Sequence, residues 1–170
     1  MIDAANLESS VKDLGWWVDY VKLRELFDGD NLHDIRFYCV HHNTENQNKF
    51  FAFLKHHGYT LITKPLKIIK QADIEAGDIR KANFDVEIAV DAVTMMEQFD
   101  TIVLLSGDSD FNYLLRYLKK KGKTTIVVSA KHHIAKELIE TSDKYIDLRR
   151  LQSFIERKRQ NESPSFATGG

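Results

Sequence analysis

The chain has 170 residues, a length that fits one compact domain, and its contents of 43% hydrophobic and 29% charged residues exclude disorder throughout. A single cysteine excludes an internal disulfide framework and a cysteine-rich zinc site, and a formal net charge of −1 is not typical of proteins that coat nucleic acid. No apolar run reaches the roughly 18 residues that span a membrane and no signal peptide is evident, so we expect a cytoplasmic protein.

Short apolar runs alternate with helical patterns along the chain. Four apolar runs predict buried strands, over residues 35–40, 60–63, 101–105 and 124–128. Two shorter strands are predicted, one around Ile2 that ends at Asp3 and one over 145–148. The helical patterns cover residues 46–57, 84–98, 111–121 and 133–142. Because strands without polar alternation are buried on both faces, the sequence predicts an α/β fold, a three-layer α/β/α sandwich with a mainly parallel central sheet.

Two stretches lack these patterns. Between Pro65 and Lys81 the charged residues show no periodicity, and a stretch of this length inside a compact domain predicts a functional or disordered loop. After residue 150 the sequence predicts a basic helix over 151–160 and then a disordered tail over 161–170, because the tail has almost no apolar content.

Acidic residues lie at the ends of the predicted strands. Asp3 ends the first strand, Asp108 and Asp110 follow the most apolar strand, and Asp85 opens the helix over 84–98. In doubly wound sheets ligands bind outside the carboxyl ends of the strands, so we expect these four carboxylates to meet at one edge. Such a cluster requires a cation to offset the repulsion, and oxygen ligands suit Mg²⁺ or Mn²⁺. A metal held in this way is typical of enzymes that hydrolyse phosphodiesters with water.

Structural roles compete with this interpretation. Asp110 could cap the helix over 111–121, and Asp85 could be favoured by the helix dipole, but one cap does not need both Asp108 and Asp110. Asp91 lies six residues after Asp85, about a third of a turn around the helix and roughly 9 Å further along it. We therefore predict that Asp91 is a structural acceptor or a support of the site, not a second ligand.

Basic and aromatic residues suggest further contacts. Four residues near the predicted acidic edge are candidates for phosphate binding: Lys64, Lys67, Arg80 and Lys81. Lysines 119–121 and 123 are better explained as a solvated surface that complements a helix C-terminus. Trp16 and Trp17 could stack on nucleic-acid bases, but a place in the core or at a homodimer contact is the better explanation.

Three adjacent histidine pairs stand at 41–42, 56–57 and 132–133. Neighbouring residues on a helix or strand face different ways, so no pair is predicted to bind zinc. The turn that contains Gly107 lacks the pattern of a dinucleotide-binding loop, which disfavours such a cofactor.

Three segments in order resemble the NYN domain, and more closely its bacterial LabA-like branch within the PIN-like nuclease superfamily. They are Asp-Ala-Ala-Asn-Leu at 3–7, Lys-Ala-Asn-Phe-Asp-Val at 81–86 with Val-Asp-Ala at 90–92, and Leu-Ser-Gly-Asp-Ser-Asp-Phe at 105–111. Residues 122–148 are also similar to the closing strand, helix and strand of the family. The likeness covers residues 1 to about 150.

The resemblance implies a PIN-like nuclease domain over 1–150, with a divalent-metal site and ribonuclease activity. It assigns the metal and the catalysis to four acids: Asp3, Asp85, Asp108 and Asp110. It also implies that Asn6 and Ser106 are hydrogen-bonding neighbours of the site and of its substrate.

The leading hypothesis is therefore a metal-dependent endoribonuclease that acts on single-stranded or structured RNA and leaves 5′-phosphate and 3′-hydroxyl ends. The alternative is a regulatory module that keeps the site, binds RNA or protein, and cleaves slowly or never. A phosphatase is disfavoured, because such enzymes place a second acid two residues after the nucleophile and Asp3 is followed there by Ala5.

Overall fold

The computed structural model describes residues 1–28, 32–65, 67–69, 79–81 and 83–158. The strands are β1 (Ile2–Asp3), β2 (Arg36–His41), β3 (Thr60–Pro65), β4 (Lys67–Ile69), β5 (Ile79–Lys81), β6 (Thr101–Leu104), β7 (Thr124–Ser129) and β8 (Lys144–Asp147). The helices are α1 (Ala4–Asp13), α2 (Tyr20–Phe27), α3 (Glu45–His56), α4 (Asp85–Thr94), α5 (Asn112–Lys120), α6 (Lys136–Thr141) and α7 (Gln152–Ile155). None of the helices in these ranges has both the length and the apolar character needed to cross a membrane.

Two parallel three-stranded sheets meet edge to edge, in the order β3-β2-β1 and β6-β7-β8. They join where Ile2 forms a parallel bridge with Leu105. The backbone N–H of Asp3 donates to the carbonyl of Leu105 at 3.2 Å, and the N–H of Leu105 donates to the carbonyl of Met1 at 2.9 Å. The short β1 therefore lies at the centre of the combined sheet, between β2 and β6.

Helices cover both faces of this sheet. Helices α1, α2, α3 and α7 contribute buried residues to one core, and α4, α5 and α6 contribute to the other. Successive strand residues alternate between the two cores, as the pleat requires. Phe37, Leu105 and Val128 pack in the first core, and Tyr38, Leu104 and Val127 pack in the second. The predicted three-layer α/β/α sandwich with a mainly parallel sheet is confirmed.

Two helices between β1 and β2 are absent from the predicted elements. Helix α1 buries Ala4, Leu7, Ser10 and Val11, of which only Leu7 and Val11 are strongly apolar. Helix α2 fully buries only Leu23. The apolar patterns of these two helices are weak in the sequence, because small or polar residues occupy part of each buried face.

The expectation of a loop between Pro65 and Lys81 is wrong at its two ends. Strands β4 and β5 pair antiparallel there, with Lys67 opposite Lys81 and Ile69 opposite Ile79. Residues 70–78 of the predicted loop lie outside the described residues.

The predicted basic helix over 151–160 is shorter in the structure. Helix α7 ends at Ile155, because the following residues pair with the segment before α2. Val18 forms an antiparallel bridge with Glu156, and the N–H of Arg157 donates to the carbonyl of Trp17 at 2.8 Å. The tail over 161–170, predicted to be disordered, lies outside the described part of the chain.

A polar contact ties α4 to β2. The hydroxyl of Tyr38 donates to Oδ2 of Asp91 at 2.9 Å, and Nη1 of Arg36 lies 3.2 Å from the same oxygen. Tyr38 is fully buried, so its hydroxyl depends on this carboxylate, and the Arg36 side chain, which is 20% exposed, also pairs with Asp34. Asp91 therefore has a structural role, which is one of the two roles expected for it.

Replacing Asp91 by Ala should lower the free energy of unfolding by about 1–3 kcal/mol, because the buried Tyr38 hydroxyl would lose its acceptor. Asp91→Asn keeps an acceptor and should lose less. Urea denaturation of both variants measures the difference. An Asp91→Ala variant as stable as the unmodified chain would contradict this role.

Candidate metal centre at the carboxyl edge of the sheet

The predicted acids gather where β1 and β6 lie side by side. From this point the chain enters α1 on one face of the sheet and, after the turn at 109–111, α5 on the other face. A crevice between strands whose connections leave in opposite directions is the usual ligand site of such sheets. Asp3 ends β1 and caps α1, because its Oδ1 accepts a hydrogen bond from the N–H of Asn6 at 3.3 Å.

The segment after β6 is held against β1 and α1 by hydrogen bonds. Oγ of the buried Ser106 donates to Oδ2 of Asp3 at 3.2 Å. The N–H of Gly107 donates to Oδ1 of Asn6 at 2.9 Å. Asn6 and Ser106, expected as hydrogen-bonding neighbours, thus connect the first acid of the site to the segment that carries Asp108.

Gly107 is required at its position by close packing. A Cβ atom there would collide with the carbonyl oxygen of His133 and would lie 2.7 Å from Oγ of Ser129. The N–H of Ala135 also donates to the carbonyl of Gly107 at 2.9 Å. The turn after β7 therefore supports the acidic segment from behind, a contact that nothing in the sequence signals.

Three carboxylates lie close enough to share one ion. One oxygen from each of Asp85, Asp108 and Asp110 lies within 4.8 Å of the other two. Asp85 opens α4, and its Oδ2 accepts a hydrogen bond from Nδ2 of Asn83 at 2.6 Å. Asp3 stands beside this group, joined to it through Ser106.

The capping role falls on a different acid from the one expected. Oδ1 of Asp108 accepts from the N–H of Asp110 at 3.0 Å and caps the 3₁₀ turn over 109–111. Among the side chains and backbone groups that the structure describes, none donates a hydrogen bond to the exposed carboxylate of Asp110. The structure thus leaves Asp110 without the structural role that the sequence allowed for it.

The side chains that the structure describes do not neutralise the charges of this cluster. None of the lysine, arginine or histidine side chains among them forms an ion pair with any of the four acids. Burial raises the pKa of Asp3, an effect partly offset by the N–H of Asn6. Burial also raises the pKa of Asp85, and the nearby charge of Asp108 raises it further.

Asp143, which lies outside the cluster, differs from these acids because its charge has partners. Asp143 accepts hydrogen bonds from the N–H and hydroxyl of Thr125 and pairs with Lys119 at 3.0 Å. The Thr125 N–H, followed by Lys119, lowers the pKa of Asp143 to about 2. Asp143 is stabilised as an anion by its surroundings, whereas Asp85 is not.

Asp3, Asp85 and Asp108 line a cleft of about 510 Å³. Its other walls include aromatic and polar side chains from the end of β2 and from α3, namely His42, Gln47, Phe50 and Phe51. The cleft thus combines carboxylates with aromatic side chains in its lining.

The structure places only one side chain of the predicted basic set. Nζ of Lys64 lies 2.7 Å from Oε1 of Glu87 and 4.5 Å from the centroid of the Phe84 ring. Arg80 and Lys81 belong to β5 and Lys67 belongs to β4, but their side chains lie outside the described features. Lys64 is thus close to the start of α4 and already paired.

The two tryptophans differ in burial. Trp16 is buried in the first core, as expected, and Trp17 is 63% exposed.

Replacing Asp110 by Asn should leave the metal-free protein unchanged in stability or make it more stable, because it removes repulsion and breaks no hydrogen bond. Asp19→Ala is the matched control. Asp19 caps α2 by accepting from the N–H groups of Val21 and Lys22, and its loss should cost about 0.5–2 kcal/mol. Thermal melting in EDTA measures both variants. An Asp110→Asn variant that melts below the unmodified chain would show a structural role for this acid.

Comparisons with known proteins agree with this architecture. The chain is 34% identical over 164 residues to the Low amplitude and bright protein LabA of Synechococcus elongatus, a match that covers 95% of this chain and 88% of that protein. A crystal structure of a protein of unknown function from Vibrio parahaemolyticus has the same fold, with a TM-score of 0.74 and 22% identity over 91% of this chain and 92% of that one. The family model for the NYN domain matches residues 1–151, and the chain therefore belongs to the NYN domain family.

Proposed function

We propose that this chain is a divalent-metal-dependent endoribonuclease that hydrolyses RNA phosphodiester bonds at the cluster of Asp3, Asp85, Asp108 and Asp110. Membership of the NYN family supports a nuclease-type or RNA-related role. The observation that carries the proposal is that carboxylate oxygens of Asp85, Asp108 and Asp110 gather within 4.8 Å, with no neutralising group among the side chains that the structure describes. An arrangement with this electrostatic cost is typical of functional sites.

The donor set fits Mg²⁺ or Mn²⁺. Every candidate ligand is a carboxylate, and hard cations prefer oxygen ligands of this kind. Asp85, Asp108 and Asp110 would hold the ion, with Asp3 beside them. When bound, such an ion acts as a Lewis acid that lowers the pKa of water and stabilises charge on a phosphate.

The chain's own residues hold the carboxylates in place. Asn83 fixes one oxygen of Asp85, Ser106 fixes one oxygen of Asp3, and the N–H of Asp110 fixes one oxygen of Asp108. Groups held in advance need little reorganisation when charge develops during a reaction. The carboxylate of Asp110 remains available at the exposed side of the cluster, where it can orient an attacking water.

The cleft supports a polymeric substrate with bases and phosphates. Bases can stack on aromatic side chains, and Phe50 and Phe51 line the same cleft as Asp3, Asp85 and Asp108. Near the acids, Lys64 can contact a phosphate if its ammonium group leaves its ion pair with Glu87. We assign Lys67, Arg80 and Lys81 to the same substrate path, since β4 follows closely after the end of β3 that carries Lys64 and β5 pairs with β4.

Binding of Mn²⁺ should raise the free energy of unfolding by about 2.7 kcal/mol when the free Mn²⁺ concentration is 100 times the dissociation constant. The effect should shrink as the pH falls toward the raised pKa values of Asp3 and Asp85, because protonated carboxyls do not bind the ion. In the metal-free protein the pH dependence that Asp3 and Asp85 cause has the opposite sign. Because their pKa values are raised, the folded state holds their protons more tightly than the unfolded state. The free energy of unfolding that these two groups contribute is therefore lost as the pH rises through those values.

Melting curves with Mn²⁺ or EDTA at several pH values test both effects. The Asp85→Asn variant is the control: it should show little Mn²⁺ stabilisation, and its advantage over the unmodified chain in EDTA should grow as the pH rises. Identical melting with and without Mn²⁺ at neutral pH would count against a cation site.

End-labelled RNA incubated with the protein and Mn²⁺ tests the activity itself. We expect internal cleavage that leaves 5′-phosphate and 3′-hydroxyl ends, that stops in EDTA, and that falls at least about 100-fold in Asp110→Asn. Asp91→Asn makes the same chemical change elsewhere in the protein and should retain cleavage. RNA binding without cleavage would favour the regulatory-module alternative, and neither binding nor cleavage would contradict the proposal.

A further inference from the structure

A second cluster of ligating side chains lies outside the acidic site. It combines Asp13, the last residue of α1, with His132 and His133 in the turn after β7. We propose that these three residues form a separate metal site, which takes a cation of the Zn²⁺ class. This inference does not depend on the ribonuclease proposal.

The geometry brings three donor atoms together. One donor atom from each residue lies within 4.8 Å of the other two. Nε2 of His133 is 2.7 Å from Oδ2 of Asp13, and the two histidine rings lie 4.6 Å apart, centroid to centroid, with an interplanar angle of 54°. Three ligands from two distant parts of the chain thus converge on one point.

The turn explains why adjacent histidines can act together. The N–H of His133 donates to the carbonyl of Ala130 at 2.9 Å, so His132 lies inside a tight turn and not on a strand or helix. The expectation that adjacent histidines face apart holds for regular elements, whereas here the turn brings both rings toward Asp13.

The donor chemistry differs from that of the acidic site. Two imidazole nitrogens and one carboxylate oxygen form a donor set found in zinc sites that keep a fourth position open for water. Imidazole favours Zn²⁺, Ni²⁺ and Cu²⁺ over Mg²⁺. The Asp13 side chain is 51% exposed and that of His133 is 25% exposed, so an ion can reach both from solvent.

The second cluster is physically connected to the acidic segment. The carbonyl of His133 packs against Gly107, and His133 also lines the cleft that contains Asp108. Asp13 lies ten residues along α1 from Asp3, or about 15 Å at the usual rise, so the two sites share no ligand. An ion bound at this second site would hold in place the turn after β7, which packs against the acidic segment of the first site.

Calorimetric titration with Zn²⁺ tests the site without using activity. The full chain should carry Asp85→Asn, Asp108→Asn and Asp110→Asn, so that the acidic cluster no longer competes for the ion. We expect one equivalent of Zn²⁺ to bind. Adding Asp13→Asn or His132→Ala should weaken binding about tenfold or more, since even losing a group that only supports a ligand costs at least that factor.

His56→Ala is the matched control. His56 and His57 are also adjacent, with ring centroids 5.2 Å apart, but no third ligating side chain of the described chain groups with them. This variant should bind Zn²⁺ as before, and circular dichroism checks that every variant is folded. The proposal would be overturned if adding Asp13→Asn or His132→Ala left the Zn²⁺ affinity of the triple variant unchanged, or if the triple variant itself bound no Zn²⁺. A negative result here leaves RNA cleavage unaffected, so the two proposals fail separately.

Discussion

The pairing of β1 with the segment around Leu105 is the contact on which the candidate site depends. Two backbone hydrogen bonds, at 3.2 and 2.9 Å, join the halves of the sheet at this point. They place Asp3 next to Ser106, and the Ser106 hydroxyl then connects Asp3 to the segment that carries Asp108. Without this junction Asp3 and the segment that carries Asp108 would lie on the edges of separate sheets.

The junction brings several carboxylates together at one edge of the sheet. Some acids elsewhere have partners that stabilise their charged form: Glu87 pairs with Lys64, and Arg149 lowers the pKa of Asp147. At the site burial raises the pKa values of Asp3 and Asp85 instead. Two buried cores on opposite faces of the sheet stabilise the fold around this unfavourable group. A site that opposes stability in this way is commonly retained for function.

Sequence reasoning predicts the parts of this structure that repeat a simple pattern. The strands around 101–105 and 124–128 are found within a residue of their predicted bounds, because their apolar runs need no partner to be recognised. Asp3, Asp108 and Asp110 are predictable for the same reason, because they stand at or directly after the ends of strands, and Asp85 is predictable because it opens a helix. Helix α1 is hidden because Ala4 and Ser10 occupy its buried face, and the packing of Gly107 against His133 depends on contacts between distant segments. Such contacts leave no local signal.

Diffraction from crystals of the full chain soaked in Mn²⁺ tests the central claim most directly. An anomalous difference map locates the ion independently of any activity. We expect a peak within bonding distance of carboxylate oxygens from Asp85, Asp108 and Asp110, with Asp3 beside it. A map without a peak at this edge of the sheet at saturating Mn²⁺, with the carboxylates instead paired to lysine or arginine side chains, would contradict the account.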